Sequence, residues 1–186
     1  MKGLMLAMIV ALLWSVAPIN VRAEEQGPLA RYVAKADDSF HWTKRREGSR
    51  GDASWVELTL TSQTWQGIEW KHQLYLLKPS KVRDSSRALL YISGGAWKPE
   101  FEQPPKDGEQ IPSQAGMLLD AAEHLGTPVA IILQVPQQPL FDGMTEDRLI
   151  SYTFEKFLRT GDDTWPLLLP MTKSAVRAMD TLQAYA

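Results

Sequence analysis

The 186-residue sequence predicts an α/β protein: an incomplete three-layer fold in which antiparallel lead-in strands precede parallel strands with flanking helices. Three observations predict it. Two segments alternate apolar and polar residues, two later segments are apolar without alternation, and a helical repeat lies between that second pair. Alternation is the period of a strand with one face buried, whereas an unbroken apolar run fits a strand covered on both faces.

Residues 1–23 read as a secretory signal peptide. Lys2 precedes an apolar stretch over 4–16, and Val21-Arg22-Ala23 gives a small-x-small cleavage pattern. The run falls short of the ~20 residues that span a bilayer, so no stable membrane anchor is expected after cleavage. The predicted location is periplasmic or secreted.

Residues 24–54 are polar and read as an N-terminal arm, with a helical turn at Leu29, Tyr32 and Val33 after Pro28. Lys44, Arg45, Arg46 and Arg50 form its basic cluster. Glu47 and Asp52 interrupt that cluster, and the net charge is −2, so it reads as a solvated loop and no nucleic-acid partner is expected.

Residues 55–186 then read as the N-terminal part of a larger α/β domain. Over 55–61, Val56, Leu58 and Leu60 share a face; over 70–78, Trp70, His72, Leu74 and Leu76 do. Residues 88–92 predict a strand buried on both faces, and Val129, Ile131 and Ile132 a second one. Between them Met117, Leu118, Ala121, Ala122 and Leu125 repeat at helical spacing, with Ser113 placed to cap the start and Gly126 the end. Strand, helix, strand implies parallel pairing.

Thr145 is a natural N-cap for a further helix whose expected buried stripe is Leu149, Ile150, Phe154, Phe157 and Leu158, closed by Gly161. A last helix places Ala175, Val176, Met179, Leu182 and Tyr185 on one side. Two parallel strands make an unfinished sheet of this kind.

The absence of cysteine removes disulfides, thiolate nucleophiles and cysteine metal ligands. No cofactor or metal is expected, since Asp142, Glu146 and Asp147 lack the spacing of a calcium loop. His41, His72 and His124 form no evident triad with any serine, and no Gly-x-Ser-x-Gly elbow occurs. The seven tryptophans are scattered, a pattern of packing more than of a sugar-stacking surface. The candidate oxyanion loop is Ser93, Gly94 and Gly95: backbone N–H groups fixed after a sheet strand stabilise a developing oxyanion. An ordinary turn is the alternative.

Several segments resemble the PhoPQ-activated pathogenicity-related protein family of exported bacterial proteins. They are Thr61-Ser62-Gln63-Thr64-Trp65, Val135-Pro136, Gln138-Pro139-Leu140, Thr145-Glu146-Asp147, Lys156-Phe157-Leu158-Arg159-Thr160-Gly161-Asp162, Trp165-Pro166, and the run from Leu169-Pro170-Met171-Thr172-Lys173-Ser174 through Ala175-Val176-Arg177-Ala178-Met179-Asp180. The resemblance extends from about Leu29 to the end of the chain. It implies an α/β-hydrolase-like fold and, in a complete form, a serine hydrolase acting on an ester or amide of a small-molecule or peptide substrate. It also implies that this chain is truncated, inactive alone, and without a catalytic residue of its own, because the family's serine elbow lies further on. Ser93 departs from the family's glycine triplet, which carries the oxyanion role to Gly94 and Gly95. A non-enzymatic exported binding or host-interaction protein on a hydrolase scaffold is the rival expectation, motivated by the tryptophans and the polar loop 98–110.

Overall fold

The computed structural model describes residues 27–185. The expected signal peptide lies outside them. The architecture is mixed α/β: a five-stranded open sheet in the order β1-β2-β3-β5-β4, with four α-helices among the described residues.

Helix α1, Pro28–Ala34, is the turn expected after Pro28. Residues expected in the polar arm then form a strand, β1, His41–Arg50, antiparallel to β2, Ala53–Trp65. Its charges hid it, because a strand whose partners are acidic and polar side chains carries no apolar period. β3, Ile68–Lys78, follows through Gln66 and Gly67, both at positive φ, the backbone a two-residue hairpin turn requires.

The parallel pair is β4, Leu89–Ile92, and β5, Val129–Ile132, joined by α2, Ser113–Leu125. β5 is wholly buried between β3 and β4. β4 is not: Leu89, Tyr91 and Ile92 are 47%, 43% and 48% exposed. The expectation of a strand covered on both faces is therefore corrected. Its apolar composition is matched by β5 on one side only, and among the described residues no strand pairs with its other edge.

Helices lie on both faces of the sheet. On one, Ala115, Leu118, Leu119 and Ala122 of α2 pack on Tyr75, Leu77, Val129 and Ile131. Each leucine buried there stabilises the fold by roughly 1.5–3 kcal/mol. On the other, α4, Leu168–Tyr185, meets Leu58, Leu60, Leu74 and Leu76. A third cluster joins Trp65, Trp70, Leu140 and Leu167 to Leu149 of α3, Glu146–Thr160. The indoles are core here: Trp65, Trp70 and Trp165 pack edge to face, and Trp65 Nε1 donates to Thr164 O.

Helix ends and faces differ from expectation in instructive ways. Gly126 and Gly161 close α2 and α3 in left-handed conformation, as their positions predict. Pro112, not Ser113, holds the capping position of α2, and neither makes a side-chain cap. Thr145 occupies the N-cap of α3 without a side-chain bond; Gln138 instead accepts the Glu146 N–H at 3.0 Å. In α3 the buried face is Leu149 and Thr153, while Phe154 and Leu158 face solvent. In α4 it is Pro170, Lys173, Ser174, Ala178 and Thr181, and Met179 is exposed. Small and polar residues win there because α4 docks onto a polar patch of β2, and Thr181 satisfies its hydroxyl on Arg177 O.

Candidate functional site

Past Ile92 the chain remains tied to the segment that follows β5. Ser93 N–H donates to Ile132 O at 2.9 Å, Val135 N–H to Ser93 O at 3.0 Å, and Gln134 N–H to Gly94 O at 3.3 Å. Gly95 then takes φ +139°, a region that only glycine enters without strain. The Ser93 hydroxyl reaches Gln114 Oε1 at the start of α2. The loop Ser93, Gly94, Gly95 thus sits at the carboxyl ends of two parallel strands, where ligands of open α/β sheets bind. The amide side chains of Gln114 and Gln134 lie beside it, and no histidine or carboxylate side chain hydrogen-bonds to it among the described residues.

Gln134 is the bed of this loop and was missed in the sequence. It holds φ +59° and is buried, with its amide paired to Gln73. Gln73 N–H donates to Gln134 Oε1 at 2.9 Å, and Gln134 Nε2 to Gln73 Oε1 at 3.2 Å. Gln73 Nε2 donates in turn to Glu57 Oε1 at 2.8 Å and to the Tyr75 hydroxyl at 3.1 Å. The available signal was the run Gln134-Val135-Pro136-Gln137-Gln138-Pro139, amides placed straight after a wholly apolar strand.

Glu57 is fully buried and carries the charge of this network. The bulge between Lys44 and Arg46 makes Arg45 an extra residue, so Arg45 and Arg46 both reach Glu57. Arg45 also bonds both oxygens of Glu109, at 2.7 and 2.9 Å. That contact draws the Glu109 carboxyl down to about 2. Burial, with the Glu57 charge adding to it, pushes the Tyr75 hydroxyl above its ordinary range. The solvated-loop reading of Arg45 and Arg46 is corrected: their side chains are 6% and 9% exposed. Lys44 and Arg50 do remain at the surface.

The histidines stay apart from the loop. His41 and His124 are exposed and bond to Ser39 O and Asp120 O. His72 Nε2 lies 2.9 Å from Ser62 Oγ, the geometry of a nucleophile and its base. Both side chains are closed to solvent, so no substrate reaches them. His72 Nδ1 donates toward Leu133 O and Gln134 O, and Ser62 is shared with Ser174 at 2.9 Å. Burial lowers His72 to about 4, against the two carbonyls that favour its charged form. This cluster fastens α4 to the sheet.

Two apolar cavities are relevant to the loop. One of about 500 Å³, lined by Leu29, Ile92, Val135, Leu168, Met171 and Ala175, opens beside the residues that bracket Ser93 and Gly94. A larger one of about 570 Å³ lies against Pro128, Val129, Leu182 and Tyr185, at the amino end of β5 and away from the glycines. Position decides for the smaller cavity as the one associated with the loop. No helix among the described residues is long and apolar enough to cross a membrane.

A family profile described as PhoPQ-activated pathogenicity-related protein matches residues 29–186. The chain is also similar to autocrine proliferation repressor protein A of Dictyostelium discoideum, at 29% identity over 170 residues, 85% of this chain and 32% of that protein. The chain therefore spans about a third of the length of this curated relative.

Proposed function

The chain belongs to the PhoPQ-activated pathogenicity-related protein family, and we propose that it is the N-terminal part of an exported, α/β-hydrolase-like protein whose complete form cleaves an ester or amide by serine chemistry. The observation that carries this reading is the placement of Gly94 and Gly95 where parallel β4 ends, beside an apolar cavity and at an open sheet edge. Helices on both faces of the sheet support the layered fold.

In this reading the oxyanion donors are the N–H groups of Gly94 and Gly95, because the Ser93 N–H is committed to Ile132 O. Fixed dipoles in a site shielded from water stabilise the charge that develops on a carbonyl oxygen under attack. The nucleophile comes from chain beyond these residues, since the one serine hydroxyl–imidazole pair among the hydrogen bonds of the described residues, Ser62–His72, is sealed. The 186 residues alone are inactive.

A fluorophosphonate probe tests this. The chain should remain unlabelled, and a form extended to the length of the longer relative should label at a serine beyond residue 186. Labelling within the present chain would overturn the assignment. Export is tested by N-terminal sequencing: a mature protein beginning at Glu24 supports the signal peptide, and one that retains residues 4–16 refutes it.

The second reading is a non-enzymatic exported binding protein on the same scaffold. It draws on the polar loop over 98–110, which the Arg45–Glu109 and Arg46–Glu109 contacts tie to β1, and on a relative named a repressor. An extended protein that folds and takes no probe would favour it.

A further inference from the structure

Lys173 lies in the run with the longest family resemblance, yet neither the glycine loop nor the cavity beside it uses its charge. Its side chain is 3% exposed, and its ammonium donates to Lys35 O at 2.7 Å, capping the end of α1. Its other neighbours are the face of the Tyr32 ring, 5.5 Å from the centroid, and Asp37 Oδ2 at 4.0 Å. An ammonium has three N–H donors, and a single hydrogen bond from it is formed among the described residues.

The remaining capacity adjoins a polar cavity of about 210 Å³ lined by Tyr32, Lys35, Asp37, Thr64, Gln66 and Lys173. At roughly 30 Å³ per water it holds a small ligand with part of its hydration. A neighbouring cavity of about 180 Å³ shares Tyr32, Lys35 and Thr164. In the first cavity two ammonium groups stand against one carboxylate, and the second adds Arg31 and Asp163, one charge of each sign. Asp37 is already engaged, accepting from Ser39 N, Ser39 Oγ and Thr64 N. The Lys35 ammonium and the Thr64 hydroxyl have no acceptor among the described residues. Surplus donors and surplus positive charge around a recess are the chemistry that recognises an oxyanion.

We propose that the recess between α1, the end of β2 and α4 is a binding site for a small oxyanion, a carboxylate or a phosphate group, held by Lys173, Lys35 and Thr64. It is separate from the glycine loop and independent of any hydrolase activity. A phosphate would engage both ammonium groups, whereas a carboxylate would bridge Lys173 and the Thr64 hydroxyl.

The experiment is titration of the full chain at low ionic strength with sodium acetate and, separately, with inorganic phosphate, followed by calorimetry and amide chemical shifts. Saturable binding of either anion, with shifts confined to residues 35–37 and 64–66, is expected. Phosphate alone assigns the site to phosphate groups; acetate alone assigns it to carboxylates. Lys35→Met and Thr64→Val are exposed substitutions that leave the core intact, and each should weaken binding about tenfold. Lys173→Met should abolish binding in protein that still melts cooperatively. Absence of saturable binding of both anions up to roughly 50 mM, some fifty times a millimolar dissociation constant, overturns the proposal. So does binding that Lys35→Met and Thr64→Val leave unchanged.

Discussion

The Ser62 hydroxyl and His72 Nε2 lie 2.9 Å apart in a region that solvent does not enter. The Nδ1–H faces two carbonyl oxygens, Leu133 O and Gln134 O, so the neutral ring accepts from Ser62 through Nε2. The pair is a joint between β2, β3 and, through Ser174, α4.

A pH dependence of stability follows from that joint. His72 titrates near 6.5 in the unfolded chain and about 4 when folded, so the unfolded state binds more protons between these values. The contribution is fully present above pH 6.5 and is lost as pH falls toward about 4. The shift corresponds to about 3 kcal/mol. Urea unfolding of wild type and His72→Gln across this window should give a steeper loss on acidification for wild type. Parallel pH profiles would show that His72 is not the group responsible.

Glu57 pairs with two guanidinium groups that have little access to water, and Glu109 supplies the second negative charge. Glu57→Ala should cost about 3–5 kcal/mol, the range for removing one partner of a buried ion pair. Denaturant midpoints measure it. A loss below about 1 kcal/mol, the size typical of exposed pairs, would mean that Arg45 and Arg46 are readily hydrated in solution.

Gly95 offers a test of the loop in an active, extended protein. Gly95→Pro removes the backbone N–H and forbids φ +139°, and turnover should fall by roughly 10²–10³-fold, as for loss of one oxyanion donor. Unchanged turnover in a folded variant would return the segment to an ordinary turn.

The exposed edge of β4 should make the isolated chain self-associate. Leu89, Tyr91 and Ile92 present apolar surface beside unpaired backbone groups, the combination that recruits further strands. Tyr91→Lys should reduce dye binding and shift size-exclusion profiles toward monomer. A wild-type chain that is monomeric, melts cooperatively and binds no dye would contradict an unfinished sheet.

Local order was legible wherever one residue's neighbours along the chain carried the information. Alternation marked β2 and β3, helical spacing marked α2, and Gly126 and Gly161 marked helix ends because a left-handed residue is a local requirement. The candidate loop was legible for the same reason, as glycines directly after a strand.

What the tertiary structure decided was every property that depends on a distant partner. β1 exists as a strand because β2 supplies its hydrogen bonds and Glu57 its countercharge, and no periodicity within residues 41–50 records either. Arg45 and Arg46 are buried together because a single bulge turns consecutive residues to one carboxylate. α3 is capped by Gln138, seven residues before its N-cap, and Gly94 is held by Gln134, forty residues away in sequence. Most plainly, Leu89–Ile92 and Val129–Ile132 are alike in composition, yet one is an exposed edge and the other a sealed centre. Composition sets how much a strand gains from burial; the order of strands in the sheet decides which one receives it.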